Sequence, residues 1–345
     1  MSLGFTRLLV TGGAGFIGST FVRRMLARHA DLSVTVLDKL TYAGNLANLA
    51  EVEAEARYRF VRGDIADPDM VDSVAADAEV TVNFAAESHV DRSIEEPDAF
   101  IQTDVYGTFV LLEAARRHGH ARYLQVSTDE VYGDVATGSS TEGDPLQPRS
   151  PYSASKASGD LLVRAYHTTY GLPAMVSRAS NNFGPYQYPE KLIPLFVTNA
   201  IDDLSLPMYG DGQQIRDWLY VEDHCDAIEL LLMRGLPGEV YNVGAGNEMT
   251  NADVTAMILK LLDKPTSLVR RVLDRPGHDR RYSVDSSRIR QLGWRPMHEF
   301  VDALAATVDW YLRREDWWRP LKSGEYLDYY RRQYGTRLEA STAAE

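Results

Sequence analysis

Residues 7–19 read RLLVTGGAGFIGS: an apolar run breaks into closely spaced glycines and then continues as an amphipathic stretch. Gly12, Gly15 and Gly18 keep the spacing G-x-x-G-x-x-G. Glycines so placed let a backbone turn tightly and approach a pyrophosphate, whose charge falls on the amides of the helix that follows. A glycine motif alone is a weak signal. It gains force from its flanks, a strand before and a helix after, and from Asp38, 20 residues past Gly18, where a second strand ends. A carboxylate there can bind both hydroxyls of a ribose and repels a 2′-phosphate, so NAD is favoured over NADP.

Working outward, short apolar runs alternate with helix-length amphipathic stretches. The runs are RLLVTG (7–12), LSVTVLD (32–38), YRFVRGD (58–64), EVTVNFAA (79–86), RYLQVST (122–128) and PAMVSRA (173–179). From Phe16 to Arg28, Ile17, Phe21 and Met25 recur at helical spacing and give one apolar face. Strand, helix, strand in this order predicts an α/β fold, a doubly wound parallel (Rossmann) sheet with a smaller C-terminal α/β substrate domain. The rhythm weakens near residue 180. The reading assigns 1–180 to the NAD-binding domain, with segments of about 210–235 and 240–245 returning to it. It assigns 181–208 and 246–330 to the substrate domain, with helices near 191–203 and 251–263. TGSSTEGDPLQPRS (137–150) reads as a surface loop, and 338–345 as a flexible tail.

Composition narrows the function classes. Forty-nine acidic against 36 basic side chains leave a net charge of −13, which disfavours nucleic acid and anionic membrane surfaces. The single Cys225 excludes an internal disulfide and sits in an amphipathic pattern as a small hydrophobe. Without an apolar run of membrane-spanning length, or a basic leader, the expectation is a cytoplasmic protein. No metal is expected, because His89 with Asp91, and His224 with Asp223, converge on no third ligand.

Chemistry concentrates in two stretches. STDEVYG (127–133) puts Asp129 and Glu130 side by side, next to Thr128, where a buried strand ends. In SPYSASK (150–156), Ser150 caps a helix, Pro151 opens it, and Tyr152 and Lys156 project one turn apart. A phenol must lose roughly 3 pKa units to act as a base at neutral pH, a demand of about 4 kcal/mol. An ammonium about 4 Å away in a partly shielded site supplies a term of that size. Lys156 is therefore expected to lower the phenol's pKa. Asp64 and Ile65 after the third strand, and Phe84, Ala85 and Ala86 after the fourth, are further candidate cofactor contacts.

Together TGGAGFIG, FAAESHVDRSI, STDEVYG and YSASK resemble the extended short-chain dehydrogenase/reductase superfamily, and within it the dTDP-glucose 4,6-dehydratase family. SNNFGPYQYPEKLIP, YGDGQQIRDWLYVEDH, NVGAGNEMTN and DRPGHDRRY extend the match over roughly residues 6–300. Phe183 stands where the family pattern has Tyr. The resemblance implies a lyase: NAD-dependent oxidation at C4 of the glucose, elimination of water across C5 and C6, and return of the hydride to C6. Tyr152 would be the base for the C4 hydroxyl, and Lys156 would also hold the nicotinamide ribose. Glu130 would be the base at C5, Asp129 the protonated acid at C6, and Thr128 the group holding the C4 oxygen.

The expected cofactor set is completed by Phe16, Ile17, Lys39, Leu40, Thr41, Ser88, Thr103 and Asn182. For the nucleoside-diphospho-glucose the resemblance implies Arg216 and Arg275 at the phosphates, with Lys191, Leu192 and Asn251 nearby. Ser88 and Asn181 would face the hexose; Pro207, Met208 and Tyr209 would pack around the base, with His278 and Tyr282 at that end. The family also suggests a homodimer, through helices near 100–117 and 153–169. An epimerase or decarboxylase of nucleotide sugars, or a silent NAD-binding regulator, are the alternatives. The related epimerases lack the acid pair, since they only oxidise and reduce one carbon.

Overall fold

The computed structural model describes residues 3–335 together with Arg337 and Leu338. The first half alternates as the spacing predicts. Strands β1 (Arg7–Thr11), β2 (Ser33–Asp38), β3 (Tyr58–Arg62), β4 (Val80–Asn83), β5 (Arg122–Thr128) and β6 (Ala174–Ala179) are connected through helices. These are α1 (Phe16–Arg28), α2 (Pro68–Ala75), α3 (Val90–Glu95), α4 (Pro97–Phe100), α5 (Thr108–Arg117) and α6 (Pro151–Tyr170). Beyond them lie β7 (Asn181–Phe183), α7 (Leu192–Ile201), β8 (Leu206–Tyr209), β9 (Ile215–Tyr220), α8 (Val221–Arg234) and β10 (Val240–Val243). The chain ends with β11 (Glu248–Thr250), α9 (Asn251–Leu261), β12 (Val269–Val272), α10 (Ser287–Gln291), α11 (Phe300–Arg313), α12 (Glu315–Leu321) and α13 (Glu325–Tyr330).

Seven strands form one parallel sheet in the order β10-β6-β5-β4-β1-β2-β3. Successive side chains of β1 show why both faces need helices. Leu8 and Val10 enter a core with Phe21 and Met25 of α1 and Leu231 of α8, while Leu9 enters the opposite core with Val71, Leu111 and Val163. A strand buried on both faces has no polar alternation, which is why the runs read as continuously apolar. The strand order reverses between β1 and β4, and ligands bind in the crevice at that point, outside the carboxyl ends of the strands.

Two assignments need correcting. The segment near 210–235 does not return to the large sheet as a whole: β9 lies in a separate three-stranded sheet, β11-β9-β7, although its Leu219 and the α8 that follows pack in the first core. Conversely, Ile289 and Trp294, inside the expected substrate segment 246–330, pack in that first core. The second core gathers Phe183, Phe196, Trp218, Ile258, Phe300 and Trp318.

The 137–150 stretch is more than a surface loop. Ser140 is buried, its carbonyl accepts from Asn242 Nδ2 at 3.0 Å, and Glu142 Oε1 accepts the Asn242 amide at 3.0 Å. It covers the edge that β10 would otherwise leave open. Of the expected tail, Leu338 packs against the second core and 339–345 lie outside the described residues. Among the described residues no helix is long and apolar enough to cross a membrane.

Candidate active site

The crevice is built first by the glycine turn. Gly12 has φ +69, and a Cβ there would stand 2.4 Å from the Ala85 nitrogen, so β1 and β4 can meet only with glycine at this position. A Cβ on Gly18 would stand 2.4 Å from the Gly12 carbonyl oxygen. No side chain caps the N-terminus of α1 at Gly15, and its first turn, with Phe16 and Ile17, carries no acid. The helix therefore presents its positive end to an anion.

Asp38 locks the turn: its Oδ2 accepts the Ala14 amide at 2.9 Å and its Oδ1 the Leu40 amide at 2.8 Å. Burial pushes this carboxyl up, and the two amide bonds oppose that. Leu40 is held at φ +57, a conformation that costs a non-glycine residue about 1–3 kcal/mol. The Lys39 ammonium lies 2.6 Å from Asp64 Oδ2. Ile65, Thr41, Phe84, Ala86, Ser88 and Thr103 continue the wall.

The carboxyl ends of β5 and β6 form the opposite wall. Thr128 caps the turn Asp129–Tyr132, its Oγ1 accepting the Glu130 amide and donating to Asp129 Oδ1, both at 3.3 Å. Asp129 is only 2% exposed. Burial pushes its carboxyl well up and the charges of Glu130 and Asp217 add to that, while Arg216 and Thr128 pull the other way. Glu130 is also pushed up by burial, but Arg275, Lys191 and Arg216 all favour its charge. The two acids thus stand in unequal fields.

Across from them, Ser150 and Ser153 form a reciprocal capping box with Pro151 in the first turn, which fixes α6 and with it Tyr152 and Lys156. Lys156 Nζ donates to the Val126 carbonyl at 2.8 Å. The expected lowering of the phenol is not what this arrangement gives: burial pushes Tyr152 well up, Glu130 and Asp104 add to it, and a bond to Thr128 opposes. Lys156 commits one of its three N–H donors to a backbone carbonyl.

Lys191 precedes Leu192 at the start of α7 and its ammonium donates to the Ser88 carbonyl. Asn182 Oδ1 meets His224 Nδ1 at 2.9 Å. Asn181 Oδ1, Asp129 Oδ2, Trp218 Nε1 and His224 Nε2 line the crevice, buried and without a hydrogen-bond partner. Buried polar atoms in that condition call for a polar ligand, and with the glycine cradle they fit a dinucleotide.

The remaining expected residues stand apart from this crevice. Leu40 packs on the first core and borders a smaller cavity with Tyr42 and Arg92. Met208 is buried in the second core, with Pro207 beside it on β8. Arg216 donates to the carbonyls of Ile215 and Asp279 and lies 4.2 Å over the Tyr282 ring. Asp91 accepts from Arg275 NH1 and from the Tyr209 hydroxyl, each at 2.9 Å. His278 is 2.6 Å from Asp274, and Asn251 is buried with its Oδ1 unpartnered. Glu87, Gln187, Tyr188, Glu190, Trp218 and His224 line the crevice without having been singled out as binding residues. Their signal was positional, since Gln187, Tyr188 and Glu190 directly precede Lys191. Among the described residues no cluster of His, Cys, Asp or Glu could hold a metal ion.

Comparison with known proteins agrees with this geometry. Residues 9–307 match the family model described as GDP-mannose 4,6 dehydratase. A dTDP-glucose 4,6-dehydratase of Streptomyces niveus is 53% identical over 322 residues, covering 92% of this chain and 96% of that protein. The crystal structure of DesIV, the dTDP-glucose 4,6-dehydratase of Streptomyces venezuelae with NAD and TYD bound, is 54% identical, covers 92% of this chain and 100% of its own, and superposes with a TM-score of 0.90. The UDP-glucose 4-epimerase of Thermus thermophilus, in complex with NAD, shares the fold at 32% identity and a TM-score of 0.83, covering 90% of this chain and 100% of its own. An acid pair at the end of β5, lining one crevice with a tyrosine and a lysine, therefore has a family: the chain belongs to the nucleotide-sugar 4,6-dehydratases of the extended short-chain dehydrogenase/reductase superfamily.

Proposed function

We propose that this chain is a dTDP-glucose 4,6-dehydratase that uses NAD. The observation that carries the reading is the convergence of a buried Asp129 and a half-buried Glu130 on one crevice with Tyr152 and Lys156. The dinucleotide would be held by the Gly12–Gly18 turn at its pyrophosphate, by Asp38 and Lys39 at a ribose, by Asp64 and Ile65 at the adenine, and by Lys156 and Asn182 at the nicotinamide end. When bound, NAD supplies an acceptor for hydride from the sugar C4 and the source from which that hydride returns to C6.

Tyr152 accepts the C4 hydroxyl proton, and Thr128 donates to the same oxygen. The C5 proton becomes acidic only beside a C4 carbonyl, so oxidation precedes elimination. Glu130, whose burial opposes its charge while Arg275, Lys191 and Arg216 favour it, takes that proton. Asp129, kept neutral by burial and by its neighbour, gives its own to the departing C6 hydroxyl, which leaves as water. Arg216 and Arg275 would meet the diphosphate. Both are already tethered, to the Asp279 carbonyl and the Asp91 carboxylate, so they need no large ordering step. Turnover of dTDP-glucose in heavy water is expected to give a 4-keto-6-deoxy product with solvent deuterium at C5. A C4 epimer instead, or a product protiated at C5, would refute the assignment.

The reading extends to a cytoplasmic homodimer. Cys225 is buried and unpaired. Ile101 and Tyr106 on the segment leading into α5 and Phe109 on α5, with Leu161 and Tyr170 on α6, are exposed apolar side chains on neighbouring helices, 39–57% accessible. A second copy would cover them. Leu161→Glu is expected to convert a two-chain species into one chain in sedimentation, and a wild-type protein that runs as one chain would remove the proposal. Fractionation of the protein with membranes would remove the cytoplasmic placement.

A further inference from the structure

Asp104 takes no part in the chemistry above, yet it is a carboxyl only 2% exposed beneath the helix that carries Tyr152 and Lys156. It sits in a π-helical segment, Ile101–Gly107, inserted between α4 and α5. Such a widened turn aims a side chain where regular helix would not, and it often marks a functional position. Here it turns Asp104 inward, between the loop after β4 and α6. Asp104 Oδ1 accepts the Glu87 amide at 3.0 Å. Asp104 Oδ2 lies 2.6 Å from Ser155 Oγ, which in turn lies 2.8 Å from the Tyr152 carbonyl oxygen.

Counting protons decides the state of this chain of contacts. A serine hydroxyl has one hydrogen to donate. If Asp104 were ionised, Ser155 would face two acceptors, Asp104 Oδ2 and the Tyr152 carbonyl, with a proton for only one. If Asp104 is neutral, its own proton goes to Ser155 Oγ and the serine proton goes to Tyr152 O, so every contact is made. We infer that Asp104 is a neutral, proton-carrying positioning residue that ties the Tyr152–Lys156 helix to the loop after β4.

The surroundings agree. Burial holds this carboxyl up to about 7, with Glu87 adding to that, while Lys156, Ser155 and the Glu87 amide pull it down. The charged or titratable groups that face it are Lys156 and Tyr152 on α6 and Glu87 on the loop. Its ionisation would also place a negative charge among those that hold the proton on Tyr152. The catalytic consequence rests on the role of Tyr152 proposed above; the protonation itself does not.

Asp104→Asn can reproduce both contacts, its amide nitrogen donating to Ser155 and its oxygen accepting from Glu87, but it cannot ionise. The test compares wild type, Asp104→Asn and Asp104→Ala from about pH 6 to pH 8.5, by thermal unfolding and by product formation. A folded carboxyl with a raised pKa makes the folded state bind more protons than the unfolded, so stability falls as pH rises toward the folded pKa and then levels off. The asparagine variant is therefore expected to gain in Tm over wild type as pH rises to about 7, with a constant gap above that. Its kcat relative to wild type should grow by about threefold across the same window, while the alanine variant is slower than both throughout. A Tm gap that does not change with pH would overturn the inference. So would an asparagine variant as impaired as alanine at every pH, since Asp104 would then be a charged partner of Lys156. The unfolding arm needs no turnover, so an enzyme inactive on dTDP-glucose would sink the functional reading while leaving the state of Asp104 decidable.

Discussion

Glu130→Gln protein mixed with dTDP-glucose is expected to develop and keep the near-ultraviolet absorbance of a reduced nicotinamide, while its rate of 4-keto-6-deoxy product formation falls by about 10²–10⁴. The variant keeps the shape of the side chain and loses only the base, so the proton on C5 stays where it is. Oxidation at C4 depends on Tyr152, which is retained and loses one of the charges that hold its proton, so it should still proceed. A variant that makes product at the wild-type rate, or one that never shows the reduced cofactor, would refute the division of labour between Glu130 and Tyr152.

Stability should move the other way. Burial raises the Glu130 carboxyl in the folded protein, so the folded state binds more protons than the unfolded one and is penalised as pH climbs above the ordinary carboxylate range. Removing the ionisable group removes that penalty, although Arg275, Lys191 and Arg216 then lose the carboxylate that faced them. Glu130→Gln is thus expected to unfold at a higher temperature than wild type at neutral pH, with the gap closing in acid. The same change acts on the neighbour. Glu130 is the largest charge holding the proton on Asp129, second only to burial, so the pH at which Asp129 ionises should drop in the variant. An acid pair of this kind trades stability for two protonation states at one site.

The sequence was most legible where local pattern and fold agree. The six strands and α1 announce themselves because a parallel strand is buried on both faces and a helix on one, and the Gly12–Gly18 turn because only glycine tolerates the contact with Ala85. Legibility fails where the deciding contact is distant in sequence. IRDWLY looks the same whichever sheet it joins, and its place beside β7 and β11 is set by partners about 30 residues away on either side. The π-helical turn at Ile101–Gly107 inserts into an amphipathic pattern without erasing it, which hid the burial of Asp104. Lys156 was read as free to act on the phenol, because no local signal points to the Val126 carbonyl 30 positions earlier. The arginines were identified by motif, and their tethers, Asp91 and the Asp279 carbonyl, belong to other segments altogether.

Tyr152→Phe should stop the reaction one step earlier than Glu130→Gln. The phenol is half-buried, its proton is held by desolvation and by the charges of Glu130 and Asp104, and of the neighbouring groups acting on it the Thr128 hydroxyl favours the phenolate. Tyr152 is thus a poor base until positive charge is brought beside it, and a bound oxidised nicotinamide is such a charge; at about 4 Å in a partly shielded site it is worth roughly 4 kcal/mol, or about 3 pKa units. The oxidised cofactor would in this way make the tyrosine basic, and without that charge the phenol would stay protonated. Phenylalanine keeps the ring that packs edge-on against Phe100 at 6.2 Å, so α6 and the cofactor site should be retained. The variant is expected to bind NAD as wild type does and to show no reduced cofactor with dTDP-glucose. It should leave C5 of recovered substrate free of solvent deuterium, and turnover should fall by at least about 10²-fold. Deuterium at C5 without product would mean that Glu130 can act before C4 is oxidised. Since a C5 proton is not acidic beside an alcohol, that result would overturn the whole sequence of steps.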